Sequence, residues 1–323
     1  MAAAMAVLVS HQFVLSGRPE PQLGPATLGN WAVQVFFAIS GYLVAMSWTH
    51  DPNLGRFVVR RLLRVWPGLV VVSLLTVFVL GPLVSQAAVT DYVVSSSTWR
   101  YLRLLLLWSF EKALPGVFVD NPVRYSVNGS LWTIPPEVRC YLLLCLLGVV
   151  GVLRGAWLIT VLAPLLAWLA WPETRIGWFM RAWMELVLVF FSGAAIHLSR
   201  ACWQGRRMRT FALFAAAIAL ATFAGRPLTV PVLAIVVVAI GSAATPVLRR
   251  AGRFGDLSYG IYVYAFPVQQ TLVWATDNSL SVAAGLAVTV PATLALAWLS
   301  WHAVEKPALV LKDRLQMRRP VPI

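Results

Sequence analysis

Long apolar segments, separated by short polar or basic stretches, recur along the whole chain of 323 residues. A membrane-spanning helix needs roughly 17–25 predominantly apolar residues, and about ten segments reach or approach that length. The pattern therefore predicts an all-α fold, a polytopic membrane helix bundle in which residues 1–323 form a single integral-membrane domain. The predicted spans are approximately 1–15, 31–48, 66–88, 137–153, 156–171, 180–199, 210–225, 227–248, 258–275 and 282–301.

Two predicted loops depart from a simple hydrophilic connection. Residues 16–30 are rich in proline and glycine, which indicates an irregular loop. In the longer loop, residues 99–110 resemble an interfacial or partly buried helix that is too short to span a membrane. Residues 121–137 approach the membrane without helical periodicity, and irregular backbone at that depth is tolerated only where it lines a protein cavity. We therefore expect this stretch to line a cavity.

Composition supports a membrane protein and gives the bundle an orientation. Hydrophobic residues make up 59% of the chain and charged residues only 12%, whereas soluble domains carry about 25% charged residues. The formal charge of +14 arises largely from arginines in short loops. Most of these arginines lie on the side that also holds both termini, so the positive-inside rule predicts cytoplasmic termini. Topology therefore explains the basic charge better than nucleic-acid binding does.

One basic cluster invites a functional interpretation. Arg60, Arg61 and Arg64 lie between the second and third predicted spans, close behind Arg56. The planar guanidinium group matches the oxygens of a phosphate, so the cluster could dock a phosphate-bearing donor. The simpler alternative is that these arginines only set the topology.

His11 is an ionisable side chain inside the first apolar segment, and such groups in membrane segments mark functional sites by default. An imidazole with a resting pKa near neutrality can act as a general base. The structural alternative is a histidine that bonds a neighbouring carbonyl. His50, His197 and His302 lie at predicted span ends, where a structural role is expected.

Glu137 follows two prolines at the start of the fourth predicted span. A carboxylate at the amino end of a helix is stabilised there by the helix dipole, which is a sufficient structural reason for its presence. The functional alternative is a carboxylate at membrane depth that orients His11 or an acceptor hydroxyl. The chain has no metal-ligand spacing, P-loop or nucleophile elbow, so no metal is expected.

Taken together, these residues resemble the acyltransferase-3 family of bacterial ten-span membrane acyltransferases. The resemblance covers nearly the whole chain, because its pieces follow one another in order. The pieces are VSH in the first span, FFAISGYL in the second, RFVVRRLLRVWP, NGSLWTIPPEVRCYL, DLSYGIYVYAFPVQQ at 256–270 and SWHAVEKP at 300–307.

The resemblance implies that the protein transfers an acyl group, usually acetyl from acetyl-CoA, to a hydroxyl of a sugar or glycan. It also implies a bacterial cytoplasmic (inner) membrane protein and maps catalytic residues to His11 and Glu137. Acyl-CoA would then be a substrate, and no permanently bound cofactor is expected. The donor would be bound by Arg60, Arg61 and Arg64, and the substrates by Ser40, Asn128, Trp132 and Tyr259.

Two features depart from the family pattern. A basic residue that usually stands eleven positions before the histidine would precede Met1, and Ala265 stands where many members have a histidine.

The predicted mechanism has His11 either deprotonate the acceptor hydroxyl or carry the acyl group itself.

Two other functions remain open from the sequence. A proton-coupled transporter or flippase of a small or lipid-linked substrate would also use histidine, glutamate and arginine within the membrane. The sequence has no duplicated half, which disfavours that class. The other alternative is a catalytically inactive member of the family.

Overall fold

The computed structural model describes residues 1–24, 26–155, 162, 165, 173–203, 226–242 and 256–317, and this part of the chain is almost entirely helical. The exception is a two-stranded antiparallel hairpin, β1 (Gln22–Leu23) and β2 (Ala26–Thr27), inside the predicted loop 16–30. The helices are α1 (Ala2–Leu15), α2 (Leu28–His50), α3 (Leu54–Leu75), α4 (Val89–Val94), α5 (Ser96–Tyr101), α6 (Ile134–Val149), α7 (Glu173–Leu198, interrupted at Gly177), α8 (Arg226–Ser242), α9 (Ser258–Ala275), α10 (Val282–Ser300) and α11 (Lys306–Met317).

Short helical elements extend several of these helices. A π-helical turn and a final α-helical turn continue α3, a π-helical turn joins α10 to α11, and two 3₁₀ turns follow α5 and precede α6. The shorter elements are the π turns Thr76–Leu80 and Trp301–Glu305, the 3₁₀ turns Leu102–Leu106 and Gly129–Thr133, and the helical turns Gly81–Val84, Val152–Gly155 and Arg200–Trp203.

Five helical segments of the described chain are long and apolar enough to cross a membrane, and they confirm five of the predicted spans. They are Leu28–His50, Leu54–Val84, Gly129–Val149, Phe179–Leu198 and Val282–Leu311. The structure therefore confirms the all-helical membrane class.

The total of about ten spans stays a prediction. Helix α1 is apolar but short, and α9 carries too many polar residues to be counted among the five. The predicted span 227–248 overlaps α8, whose apolar stretch is Val232–Gly241. The predicted spans 156–171 and 210–225 lie outside the described helices.

The contacts divide the chain into two compact units. The first comprises Met1–Asn30, Val58–Val138 and Ala251–Ile323, and the second comprises Trp31–Phe57 and Arg139–Arg250. Of the nine predicted site residues, only Ser40 belongs to the second unit. The other eight predicted site residues all belong to the first unit.

In the first unit, small residues bring α1, α9 and α10 close together. A Cβ atom on Gly260 would lie 2.8 Å from the Cα of Ala297, and one on Gly285 would lie 2.7 Å from Nε2 of Gln12. Such small residues are typical of helix interfaces in membranes, where backbones must approach closely to gain dispersion contacts.

Buried polar side chains also connect these three helices. Gln269 of α9 donates hydrogen bonds from Nε2 to the Leu8 carbonyl and to Oε1 of Gln12, at 2.8 and 3.0 Å. Thr289 of α10 donates to the same Gln12 oxygen at 3.2 Å. Hydrogen bonds of this kind between membrane helices contribute about 0.6 kcal/mol each on average. They hold α1, which carries His11, against two neighbouring helices.

Residues 89–106 run along α3 as short helices that bury Tyr92, Tyr101 and Leu104 and expose Trp99 and Leu106, as the sequence predicts for a partly buried segment. Tyr92 Oη donates to the Val77 carbonyl at 2.7 Å, and farther along the Leu105 carbonyl accepts from Nε1 of Trp66 at 3.0 Å. The two partners on α3 are eleven positions apart, or about 16 Å of helix. The chain then comes back to Ser85, which pairs with Val117.

In the second unit, α2 and α7 approach each other at two glycines. A Cβ atom on Gly41 would lie 1.8 Å from the Phe190 carbonyl oxygen, and one on Gly193 would lie 2.1 Å from the Ala38 carbonyl oxygen. Any larger residue at either position would have to push the backbones apart. The predicted substrate residue Ser40 lies at this contact, where its Oγ is 3.0 Å from the Tyr141 hydroxyl.

Candidate active site

Helix α9 holds the irregular stretch that the sequence predicted would line a cavity. The fully buried Asn128 donates from Nδ2 to the Val263 carbonyl at 2.8 Å. Its Oδ1 is buried and accepts no hydrogen bond from the described part of the chain. Next to it, a Cβ atom on Gly129 would come within 2.8 Å of the Phe266 ring, so only glycine fits this contact.

The next residue, Ser130, is held in place through its backbone carbonyl. The Tyr262 hydroxyl donates to the Ser130 carbonyl at 2.6 Å and lies 2.6 Å from Oγ1 of Thr133. Ser130 is buried, so its hydroxyl points into the protein from a backbone that α9 has already anchored.

His11 meets this anchored turn. Its Nδ1 lies 3.4 Å from Oγ of Ser130, at the long end of the hydrogen-bonding range. Its ring packs edge-on against Phe266, with 5.2 Å between ring centroids and an interplanar angle of 78°. The side chain is half-buried. Ser130 thus contacts Nδ1 of His11, and Phe266 packs against its ring. Nε2 is the nitrogen that remains to accept or donate a proton in a reaction.

The residues on either side of His11 hold its backbone in place. Ser10 is fully buried, donates to Oε1 of Glu20 at 2.8 Å and accepts from the Gly29 amide at 2.9 Å. Gln12 takes part in the polar contacts with α9 and α10 described above. The histidine therefore belongs to a rigid segment of α1, which suits a catalytic group.

The amino end of α9 contacts Arg64, the arginine of the predicted donor site, which lies on α3. Arg64 donates from Nη2 to Oδ2 of Asp256, and its Nη1 lies 4.0 Å from Oε2 of Glu305. Its guanidinium carbon is 6.0 Å from the centroid of the Tyr259 ring. Tyr259 is held in turn by a 2.7 Å hydrogen bond from its hydroxyl to the Val65 carbonyl.

Glu305 is a buried carboxylate beside this arginine. Only 2% of its surface is exposed, and its Oε1 accepts from the Ser300 hydroxyl at 2.9 Å. It stands at the end of the π-helical turn Trp301–Glu305, and such turns are frequent at functional sites. Gly68 makes room here, because a Cβ atom would lie 2.8 Å from the Tyr259 ring.

The other predicted arginines show two different environments. Arg60 and Arg61 are half-buried and each has an interaction partner. Arg56 forms a bidentate pair with Asp51, with Nε to Oδ2 at 2.8 Å and Nη2 to Oδ1 at 2.5 Å. This pair gives Arg56 a local structural role.

Glu137 lies in the first turn of α6, as the sequence predicted, and is half-buried. The carboxylate follows directly on the 3₁₀ turn Gly129–Thr133, which contains Ser130. Trp132 is half-buried in the 3₁₀ turn that also contains Ser130.

The positions at which α9 contacts Arg64 and His11 are separated by a short distance, because one is at its amino end and the other near its middle. The contacts of Arg64 are made at Tyr259, and those of His11 at Phe266. Seven residues separate these positions, which corresponds to about 10 Å along a helix. A single helix therefore holds the predicted donor-binding arginine and the predicted catalytic histidine at a fixed spacing.

Several residues of this site were not singled out in the sequence. Ser130, Tyr262, Phe266, Asp256 and Glu305 all lie within the family-like segments, but nothing in their spacing distinguishes them from their neighbours. Glu305 alone carried a usable signal, since a carboxylate next to an apolar span is costly unless it has a partner.

Comparison with known proteins now identifies the class. The family profile described as an acyltransferase domain matches residues 1–302. The chain belongs to the acyltransferase-3 family. Its relatives include an O-acetyl transferase of Shigella phage Sf6, 31% identical over 95% of this chain and 93% of the relative. Nodulation protein 10 of Rhizobium leguminosarum bv. viciae is 29% identical over 92% of this chain and 89% of the relative.

Membership in this family confirms the resemblance predicted from the motifs and makes the protein a membrane acyltransferase. It favours the enzyme over the transporter that the sequence left open. No solved structure matches the chain significantly.

Proposed function

We propose that this acyltransferase is an O-acetyltransferase of the bacterial inner membrane that moves an acetyl group from acetyl-CoA to a hydroxyl of a sugar or glycan. The relative named O-acetyl transferase supports the chemistry. His11 and Arg64 contact α9 at two separate positions, which supports assigning catalysis to His11 and donor binding to Arg64.

Donor binding is assigned to Arg60, Arg61 and Arg64. Guanidinium groups bind phosphate oxygens through paired, charge-assisted hydrogen bonds. Arg64 contacts the amino end of α9, and Arg60 and Arg61 precede it on α3. With cytoplasmic termini this end faces the cytoplasm, where acyl-CoA is found. The flexible arm of acyl-CoA between its phosphates and its thioester can cover the offset of about 10 Å along α9.

The chemical step is assigned to His11. With its proton on Nδ1, the ring donates to Ser130 Oγ and leaves the lone pair of Nε2 free. The acceptor hydroxyl attacks the thioester carbonyl while Nε2 takes its proton. The carbon–sulfur bond then breaks, and the departing CoA thiolate takes the same proton, so the products are an acetyl ester and CoA.

Glu137 is assigned a positioning role in this scheme. It stands at the start of α6, directly after the 3₁₀ turn that contains Ser130, so the carboxylate can influence His11 through the position of this turn. Asn128 and Trp132, beside Ser130, and Tyr259, beside Arg64, remain proposed substrate contacts. Ser40 remains a proposed contact as well.

The deciding experiment compares two histidine variants of the purified protein. His11→Ala should lower kcat for transfer of radiolabelled acetyl from acetyl-CoA by about 10²–10⁴-fold, the usual contribution of a general base. His302→Ala is the matched control, because this imidazole is exposed, with its Nδ1 bonded to the Trp298 carbonyl and its ring packed on the Trp298 ring. Turnover of His11→Ala within about threefold of the wild type would refute the assignment.

A second comparison tests donor binding. The double variant Arg61→Ala, Arg64→Ala should raise the KM for acetyl-CoA, whereas Arg56→Ala should leave it unchanged because Arg56 is already paired with Asp51. An unchanged KM in the double variant would mean that the cluster serves only to orient the protein in the membrane.

A further inference from the structure

An exposed tyrosine, Tyr125, stands on the loop that Gln270 of α9 holds in place. The Tyr125 side chain is 49% exposed, although Asn121 and Ser126 of the same loop are buried. Its φ angle of 57° lies in the left-handed region. A residue other than glycine adopts this conformation at a cost of about 1–2 kcal/mol, so the rest of the loop must hold it there.

Two buried amides supply that support. Gln270 donates from Nε2 to the carbonyls of Val123 and Ser126, at 2.9 and 2.7 Å, and so holds the loop on both sides of Tyr125. Asn121 donates from Nδ2 to the carbonyl and to Oε1 of Gln270, at 3.0 and 2.7 Å. The Tyr125 amide donates to the Phe118 carbonyl at 3.3 Å. The ring is therefore exposed on a rigid base.

The same loop contacts the surroundings of His11. Val123 packs against the cluster of Leu15, Phe266 and Val273. Phe266 is the residue against which the His11 ring packs, and Leu15 lies one helical turn after His11 on α1. Gln270 follows Phe266 by four residues, or about 6 Å along α9. This offset is comparable to the width of one sugar ring.

We propose that Tyr125 forms the acceptor platform of this acyltransferase, stacking its ring on the C–H face of a hexopyranose so that one sugar hydroxyl lies over His11. The proposal rests on the acetyl transfer proposed above. An aromatic face carries partial negative charge and offers a large apolar area, which complements the C–H groups on one side of a pyranose. Arg124 beside it is exposed and can donate to sugar hydroxyls.

A simple interfacial anchor is the competing explanation, because tyrosine is enriched at membrane surfaces. An anchor needs exposure, but it needs neither a left-handed backbone nor two buried amides that fix its loop. Those two features favour a platform whose ring must keep one orientation.

Kinetic measurements with chosen variants separate these explanations. Tyr125→Asn removes the ring but keeps a residue that tolerates positive φ, and Tyr125→Phe keeps the ring. With methyl hexopyranosides as acceptors, Tyr125→Asn should raise the acceptor KM about tenfold and leave the KM for acetyl-CoA unchanged. Tyr125→Phe should stay within about twofold of the wild type. Trp99→Leu, which removes a ring of similar exposure (50%) from α5, is the matched control.

A binding measurement keeps the test independent of catalysis. In the inactive His11→Ala protein, saturation-transfer NMR should detect methyl hexopyranoside binding, and adding Tyr125→Asn should abolish it. Loss of binding in that double variant would support the platform even if the wild type transferred no acetyl. Equal binding by both proteins, no binding of any glycoside, or an acceptor KM unchanged in Tyr125→Asn would overturn it.

Discussion

Polar groups are held in different ways at the two contact regions of α9, which are the Arg64 end around Tyr259 and the His11 end around Phe266, near the middle of the helix. At the Arg64 end the groups are ionic, and Arg64 and Asp256 expose 28% and 49% of their side chains. At the His11 end, Ser130, Tyr262 and their partners are buried and held by hydrogen bonds between hydroxyl, amide and carbonyl groups. The Arg64–Asp256 ion pair is partly open to water, so a substrate can replace one of its partners. The groups around His11 are already buried and hydrogen-bonded to one another before any substrate arrives.

This difference matches the tasks proposed for the two ends. A donor phosphate entering from water can replace Asp256 as the partner of Arg64, because a partly exposed ion pair contributes only about 0–1 kcal/mol. A catalytic histidine gains from the opposite arrangement, in which neutral contacts fix its ring and tautomer without competing for its proton. Substitutions at the His11 end should therefore change kcat, and substitutions at the Arg64 end should change the KM for the donor.

The largest effect is expected from Ser130→Ala. Removing the hydroxyl leaves Nδ1 of His11 without its partner, so the ring can rotate and lose the productive tautomer. A small misplacement of a catalytic group costs up to about a hundredfold in rate, and kcat should fall by about tenfold to a hundredfold with the KM for acetyl-CoA unchanged. Steady-state kinetics with radiolabelled acetyl-CoA measure both quantities.

Two further variants test whether that effect is specific. Ser130→Thr keeps the hydroxyl and should restore most of kcat. Ser126→Ala removes another buried serine hydroxyl from the same loop, while the carbonyl that accepts from Gln270 remains. If Ser126→Ala lowered kcat as much as Ser130→Ala did, the effect would come from the loop and not from the contact with His11.

The fold and the main candidate residues could be predicted because each left a strong local signal. A long apolar segment has few alternatives to a membrane helix, and His11 and Arg64 are ionisable groups where the membrane makes them costly. The start of α6 at Ile134, just before Pro135 and Glu137, also follows from local helix-start preferences.

The supporting residues could not be predicted because their roles depend on contacts between distant parts of the chain. Ser130 is 119 positions from His11, and Asp256 is 192 positions from Arg64. The hydroxyl of Tyr262 and the ring of Phe266 have no special sequence context among the other aromatic residues of α9. Only folding shows that one anchors Ser130 and the other packs against His11.

A smaller effect is expected when the geometry of the charged end is changed. Arg64→Lys keeps the positive charge but replaces the planar fork with a single ammonium group, which cannot bind two phosphate oxygens in parallel. The KM for acetyl-CoA should rise about fivefold to tenfold, with kcat nearly constant. A fall in kcat at unchanged KM would show that Arg64 acts on the chemical step, and the contrast between the two contact regions of α9 would fail.

The smallest effect is expected from a substitution of Asp256, and it should improve donor binding instead of weakening it. If this carboxylate competes with the donor phosphate for Arg64, Asp256→Asn should lower the KM for acetyl-CoA by about threefold, since an exposed ion pair is worth little to begin with. The gain should be greatest at low ionic strength, because salt screens exposed charges. Glu305→Gln removes the charge of a buried carboxylate beside the same arginine. Comparing the two variants separates competition between Asp256 and the donor phosphate from the general effect of removing a negative charge near Arg64. A higher KM in Asp256→Asn would instead mean that Asp256 holds Arg64 in its binding orientation, and the charged end would then be as rigidly assembled as the end at His11.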